Sequence, residues 1–208
     1  MTYLPAHLLR SRESFDIRPK SIIHHLEDLG VDLSQNRNSK QLSPKVKALE
    51  THILDRSSME KIQDVKGLGG MLNGFRELVK DETKITFVGS PGFCTPFALF
   101  LGYPVRDKEL AFVPGLNKEK ARKIISTEYG LELGDKSSAD ADVVVVLGGM
   151  AMPKIGVKPE EMKDFLTKIK YKKLIGVCFM SIFEKAGWCQ TLDYDYVMNL
   201  IIEGEVSK

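Results

Sequence analysis

Asp142-Val143-Val144-Val145-Val146-Leu147-Gly148-Gly149 is five aliphatic residues, four of them valine, between a carboxylate and two glycines. Branching at Cβ favours the extended backbone. A strand that is apolar at every position needs cover on both faces, as in the centre of a parallel sheet clad by helices. The run is far too short to span a bilayer. Its two glycines mark where the strand stops and a loop begins.

The same grammar repeats on either side. Lys84-Ile-Thr-Phe-Val88 reads as a strand ending at Gly89, and Glu109-Leu-Ala-Phe-Val113 as a second, ending at Pro114-Gly115. Lys173-Leu-Ile-Gly-Val-Cys178 reads as a fourth and Tyr196 to Ile202 as the last. Helical stripes fall between them. Met71, Leu72, Phe75, Leu78 and Val79 form one. Thr95-Pro96 opens an almost wholly apolar helix through Leu101. Ala121, Ile124, Ile125 and Tyr129, stopped by Gly130, predict another helix. Met162, Phe165, Leu166 and Ile169 follow Pro159 in the next, and a short helix is expected from Ser181 to Gly187. Strands alternating with helices predict βαβ units with right-handed crossovers. The expected fold is a three-layer, doubly wound α/β domain over about residues 59–208, with a mainly parallel sheet of Rossmann-like or flavodoxin-like type.

Residues 1–58 are different in character. Ile22, Ile23, Leu26 and Leu29 stripe one short helix before Gly30, and Ser43-Pro44 opens another carrying Val46, Leu49 and Ile53. Both stripes are narrow, so this segment is expected to be a partly mobile helical extension. It would dock on the main domain or recruit a partner, including a second copy of the chain. Met59 as a natural start is a further possibility.

Composition excludes several functions. Of 208 residues, 43% are hydrophobic and 28% charged, an ordinary globular balance. Nine basic and seven acidic residues in 1–58 leave 21 of each sign in the rest, within a net charge of +2. No part is the basic footprint of a nucleic-acid binder. No signal peptide is read at Met1-Thr-Tyr-Leu-Pro5. Cys94, Cys178 and Cys189 are too few for a disulfide framework and imply reduced thiols in the cytoplasm.

A parallel sheet binds ligands outside the carboxyl ends of its strands. Three loops lie there: Gly89-Ser90-Pro91-Gly92-Phe93-Cys94, Gly148-Gly149 on to Lys154, and Cys178-Phe-Met-Ser181. Thr95 is expected to cap the first helix, with Pro96 at its first position and free N–H groups on Phe97 and Ala98 facing an anion. The spacing is G-x-x-G, which is neither the dinucleotide fingerprint nor a P-loop. A plain tight turn is the alternative. Ser181 and Glu184 match a capping box, which would make them caps and place a second helix start on the same edge. Lys154 would clamp an anion from a loop made mobile by Gly148, Gly149 and Gly156, with Met150 and Met152 against a flat ligand. Cys94 and Cys178 both follow strand ends near a helix start, where a thiol pKa falls. They are candidates for a shared metal or a nucleophile, with Cys94 the best single catalytic candidate, against the alternative of ordinary core packing. All four histidines, His7, His24, His25 and His52, lie before Met59, so a Cys–His dyad has no base in the main domain.

Gly67-Leu-Gly-Gly-Met71, Val88-Gly-Ser-Pro-Gly-Phe-Cys-Thr-Pro-Phe97 and Ile175-Gly-Val-Cys-Phe-Met180 resemble an uncharacterised protein family of methanogenic archaea, over about residues 59–208. The resemblance carries no catalytic residues and no cofactor with it. It implies a cytoplasmic protein of an anaerobe, where iron–sulfur sites are common, although two cysteines fall short of the three or four that clusters usually take. Three readings remain open. One is a protein binding a phosphate- or carboxylate-bearing small molecule through Gly89, Ser90, Gly92, Thr95, Gly148, Gly149, Lys154 and Ser181. The second is a metal, iron–sulfur or thiol redox protein using Cys94 and Cys178. The third is a non-enzymatic assembly or regulatory subunit working through residues 1–58.

Overall fold

The computed structural model describes residues 59–208. The helices, histidines and partner contacts expected within 1–58 lie outside the described residues. Helix α1 is Gly67–Leu78, β1 Lys84–Gly89, α2 Cys94–Gly102 and β2 Glu109–Pro114. Then come β3 Arg122–Thr127, β4 Gly130–Lys136 and β5 Val143–Leu147, which runs into a 3-10 turn, Gly148–Ala151. Helix α3 is Pro159–Thr167, β6 Lys173–Phe179, α4 Ile182–Lys185, α5 Trp188–Thr191 and β7 Tyr196–Leu200.

The strands form one sheet in the order β4-β3-β2-β1-β5-β6-β7. β1 pairs parallel with β2 and with β5, and β5–β6 and β6–β7 are parallel too. β2–β3 and β3–β4 are antiparallel. The α/β architecture with a mostly parallel sheet is therefore as expected. All five residues of β5 are buried, and they alternate between two cores. Val143, Val145 and Leu147 join Phe75, Phe87, Ala98 and Leu101 on the face covered by α1 and α2. Val144 and Val146 join Met162, Phe165, Phe183 and Trp188 on the face covered by α3, α4 and α5. Among the described residues no helix is long and apolar enough to cross a membrane.

The helix expected from Ala121 to Tyr129 is instead the β3–β4 hairpin. Thr127 pairs with Gly130 around the two-residue turn Glu128-Tyr129, and Gly130 takes φ +122°, which a side chain would resist. Ile124, Ile125 and Thr127 are β-branched, and the edge of β2 needed a partner. That local preference outweighed an apolar spacing that fits a helix only loosely. A register shift between Arg122 and Ile124 bulges the hairpin.

The amino edge of the sheet is tied by carboxylates. Asp142 Oδ2 accepts from the N–H of Thr83 (3.1 Å), the N–H of Lys84 (3.0 Å) and the Thr83 hydroxyl (2.7 Å). Asp140 accepts from Lys170 N–H at 2.9 Å, and Asp195 from Leu174 N–H at 2.7 Å. Asp142 and Asp195 satisfy donors at strand starts, and Asp140 one in the turn that leads from α3 to β6.

Candidate functional site at the carboxyl edge

The strand order reverses direction at β1. The chain leaves β1 for β2 on one side and later returns to lay β5 on the other, so the switch point lies between β1 and β5. The loops after these strands part toward opposite faces, which opens a crevice in this class of sheet. Here the mouth is closed by close packing. Cys94 is buried, its N–H donates to Ser90 O at 3.0 Å, and its Sγ lies 3.2 Å from the buried Ser90 Oγ. A Cβ on Gly149 would stand 2.3 Å from Cys94 Sγ, and one on Gly89 would stand 2.3 Å from Cys94 Cβ. Both positions need glycine because the Cys94 side chain occupies the space. A cavity of about 20 Å³ remains, lined among others by Cys94, Phe97, Leu147, Gly149 and Phe179. That is room for about one water.

Several expected site residues sit differently from their sequence reading. Thr95 is not the cap of α2. The helix begins two residues earlier than expected, at Cys94, and Phe93 in the cap position makes no side-chain cap hydrogen bond. Pro96 consequently falls at the third helical position, and the N–H groups of Phe97 and Ala98, expected to be free, lie at the fourth and fifth, where they donate along the helix. Ser181 does not cap α4 either. It adopts φ +56°, and its hydroxyl accepts from Asn199 Nδ2 at 2.9 Å while its N–H donates to Asn199 Oδ1 at 2.9 Å. Gly148 and Gly149, expected to loosen a mobile loop, are buried in the 3-10 turn. Gly92 is exposed with φ +83°. Lys154 is exposed, with no ion pair among the described residues.

Cys94 and Cys178 do share an edge, but they point into different cores. Cys94 belongs to the α1–α2 side and Cys178 to the α3–α5 side. The Gly148–Gly149 backbone runs between them, with Gly149 against Cys94 and a Cβ on Gly148 only 2.7 Å from Cys178 Cβ. A metal shared by these two thiols within one chain has no geometry to rest on. Among the described residues no three His, Cys, Asp or Glu gather as a ligand set. The Cys178 thiol is also not activated. Burial pushes its pKa up to about 11, although the Phe183 and Ile182 N–H groups face it and pull the other way. Its S–H donates to Asn199 Oδ1 at 3.5 Å. The desolvation expected of a buried thiol outweighs two backbone donors at the start of a one-turn helix.

Two features at this edge escaped the sequence reading. Met180 and Ser181 take φ +55° and +56° in succession, a conformation costly for residues with side chains. Nothing in Phe179-Met180-Ser181 signals it, because no glycine is present. The strain is held from β7, by Asn199 and by Leu200 O, which accepts from Met180 N–H at 2.8 Å. The second feature is an aromatic row. Phe93 and Phe97 lie 6.2 Å apart between ring centroids, and Phe97 and Phe179 5.1 Å. Phe93 is 56% exposed and Met180 46%.

A protein of Methanothermobacter thermautotrophicus is 45% identical over 152 residues, covering 72% of this chain and 99% of that protein. One of Methanocaldococcus jannaschii is 42% identical over 152 residues, covering 72% and 94%. Both carry the description "uncharacterized protein". A crystal structure of a protein of unknown function from Methanothermobacter thermautotrophicus matches with a TM-score of 0.69 and 44% identity, over 73% of this chain and 99% of that one. A family model spans residues 66–203, from the residue before α1 to just past β7. The chain thus belongs to the family described as "Uncharacterized protein conserved in archaea (DUF2124)".

Proposed function

We propose that this chain is a cytoplasmic binding protein for an anionic small molecule, phosphate- or carboxylate-bearing, held at the carboxyl edge of the sheet. The observation that supports this is the switch point between β1 and β5, from which the Gly89–Thr95 loop and the Gly148–Lys154 segment diverge. The ligand sits on the outer side of the Cys94–Gly149 contact. Gly92 lets the backbone approach it there, Thr95 offers a hydroxyl at the start of α2, and Lys154 supplies the charge. Gly89, Ser90, Gly148 and Gly149 then shape the floor, and Ser181 and Asn199 hold its far wall. The test is thermal denaturation and titration calorimetry with inorganic phosphate, a nucleoside monophosphate and a tricarboxylate at millimolar concentration. A ligand at a hundred times its Kd raises stability by about 2.7 kcal/mol. Lys154→Ala should remove most of that gain. No stabilisation by any of the three overturns the reading.

The exposed side chains of Phe93 and Met180 favour a second reading, a non-enzymatic assembly or regulatory subunit. Phe93→Ser separates the two. It should leave anion binding intact, and on the second reading it should abolish co-purification of a stoichiometric partner from the native organism.

A further inference from the structure

The two edges of the sheet are protected very differently. β4 carries Glu132, Asp135 and Lys136, contains two glycines, and is bulged against β3. Charges and bulges are the usual devices that stop an edge strand from pairing with another chain. β7 has none of them. From Tyr196 to Ile202 the chain reads Tyr-Val-Met-Asn-Leu-Ile-Ile, with no charge, no glycine and no proline. Ile201 and Ile202 are 59% and 54% exposed.

The outward backbone groups of this edge can be assigned. Leu200 O accepts from Met180 N–H, across the ladder with β6. In a parallel ladder inward and outward residues alternate, so Tyr196, Met198 and Leu200 face β6. The N–H and C=O groups of Val197, Asn199 and Ile201 face outward, and no described residue outside the sheet bonds them.

We infer that β7 is the contact of a two-fold dimer, in which a second copy of this chain adds its own β7 antiparallel and continues the sheet. The uncharged run is seven residues long and centred on Asn199. With Asn199 on the axis, Val197 exchanges backbone hydrogen bonds with Ile201 of the second copy. Met198 then lies opposite Leu200, and Tyr196 opposite Ile202. Every such pair joins two apolar or β-branched side chains, the combination that stabilises antiparallel strands. Asp195 and Glu203 fall opposite each other at the two ends of the run. Asp195 is turned to Leu174 N–H, which leaves Glu203, and beyond the run Glu205 opposite Asp193, to act as the brake on pairing.

The experiment is light scattering on the full chain after size exclusion, with amide exchange read by NMR. The expected mass is twice the 23.3 kDa of one chain. The amides of Val197, Asn199 and Ile201 should be slow to exchange, and should speed up on dilution while those of β5 do not. Ile201→Lys with Ile202→Lys changes only exposed side chains and should give a monomer that unfolds as cooperatively as the parent. Glu203→Lys, which sets a cation against Asp195, should tighten the dimer at least several-fold. A parent chain that is monomeric at all concentrations overturns the inference. So does a dimer whose Val197, Asn199 and Ile201 amides exchange at open-edge rates, or whose mass the double lysine variant leaves unchanged.

Discussion

The amino and carboxyl edges of this sheet are built on opposite plans. At the amino edge Asp142 and Asp195 hold strand starts, and Asp140 the turn before β6, through charge-assisted hydrogen bonds. Lys108 Nζ donates to Glu82 O at 2.6 Å, and Lys173 pairs with Glu82 at 3.0 Å in a largely buried bridge. Each of these groups has a structural task. At the carboxyl edge the polar atoms are few, glycines bring backbones together, one turn is strained, and aromatic side chains face solvent. In a parallel sheet both edges inherit open donors and acceptors. Here one edge has spent its charge on closing them, while the other keeps exposed surface, which is where a binding function can reside.

The contrast can be broken most severely at Gly148. Its replacement by Ala sets a Cβ 2.9 Å from Cys178 Cα and 2.7 Å from its Cβ, and backbone cannot yield as a side chain does. The expected loss is about 3 kcal/mol, read from urea denaturation. An unchanged midpoint would mean the edge is loosely packed after all. At the other edge, Asp142→Ala strips three hydrogen bonds from β1 and the preceding turn and should cost about 2 kcal/mol. The pH dependence follows. Bonds from Lys172 and Thr83 hold the Asp142 carboxyl well below the ordinary carboxylate range. Its contribution is complete above about pH 4 and fades as the pH falls below that. Asp142→Asn should therefore flatten the acid limb of the stability curve, and an unaltered limb would assign the tie elsewhere.

A smaller effect sharpens the carboxyl edge alone. Gly149→Ala meets Cys94 Sγ at 2.3 Å, an atom that Cys94→Ala removes, and next the movable Phe93 ring at 3.1 Å. The double variant should recover about 1 kcal/mol relative to the sum of the singles. Strict additivity would show that the clash is relieved by backbone movement. Smallest of all is Phe93→Ser, expected to change stability by no more than about 0.5 kcal/mol because its side chain is largely exposed. A larger loss would make the aromatic row part of the core.

What could be read from the chain follows the same division. Val143 to Leu147 declared a central strand because burial on both faces leaves a one-dimensional trace. The helix stripes of Met71 to Val79 and Met162 to Ile169 did so for the same reason. The hairpin was missed because Ile124, Ile125 and Tyr129 fit two periods, and the requirement that β2 have a neighbour is a property of the sheet. At the site, the loops and the shared edge of Cys94 and Cys178 were legible from strand ends. The directions of the two thiols were not, since a one-residue shift sends a side chain to the other face. Nor were the roles of Thr95 and Ser181. Capping signatures describe a local option, and Asn199, eighteen positions away from Ser181, supplied a better partner.

The β3–β4 hairpin also sets a sequence in time. A two-residue turn closes in about 1–10 μs, with no need to wait for distant chain. β1 and β5 must bring together Lys84 and Asp142, 58 positions apart, against 21 for Ile175 of β6 and Tyr196 of β7. Contacts between distant segments form late because the loop must be closed before they reward it. The half of the sheet with the bulged, charged border is thus expected to assemble first. β7, whose border carries no such guard, closes on β6 across 21 positions, so its bare backbone waits longer for a neighbour than the hairpin's does.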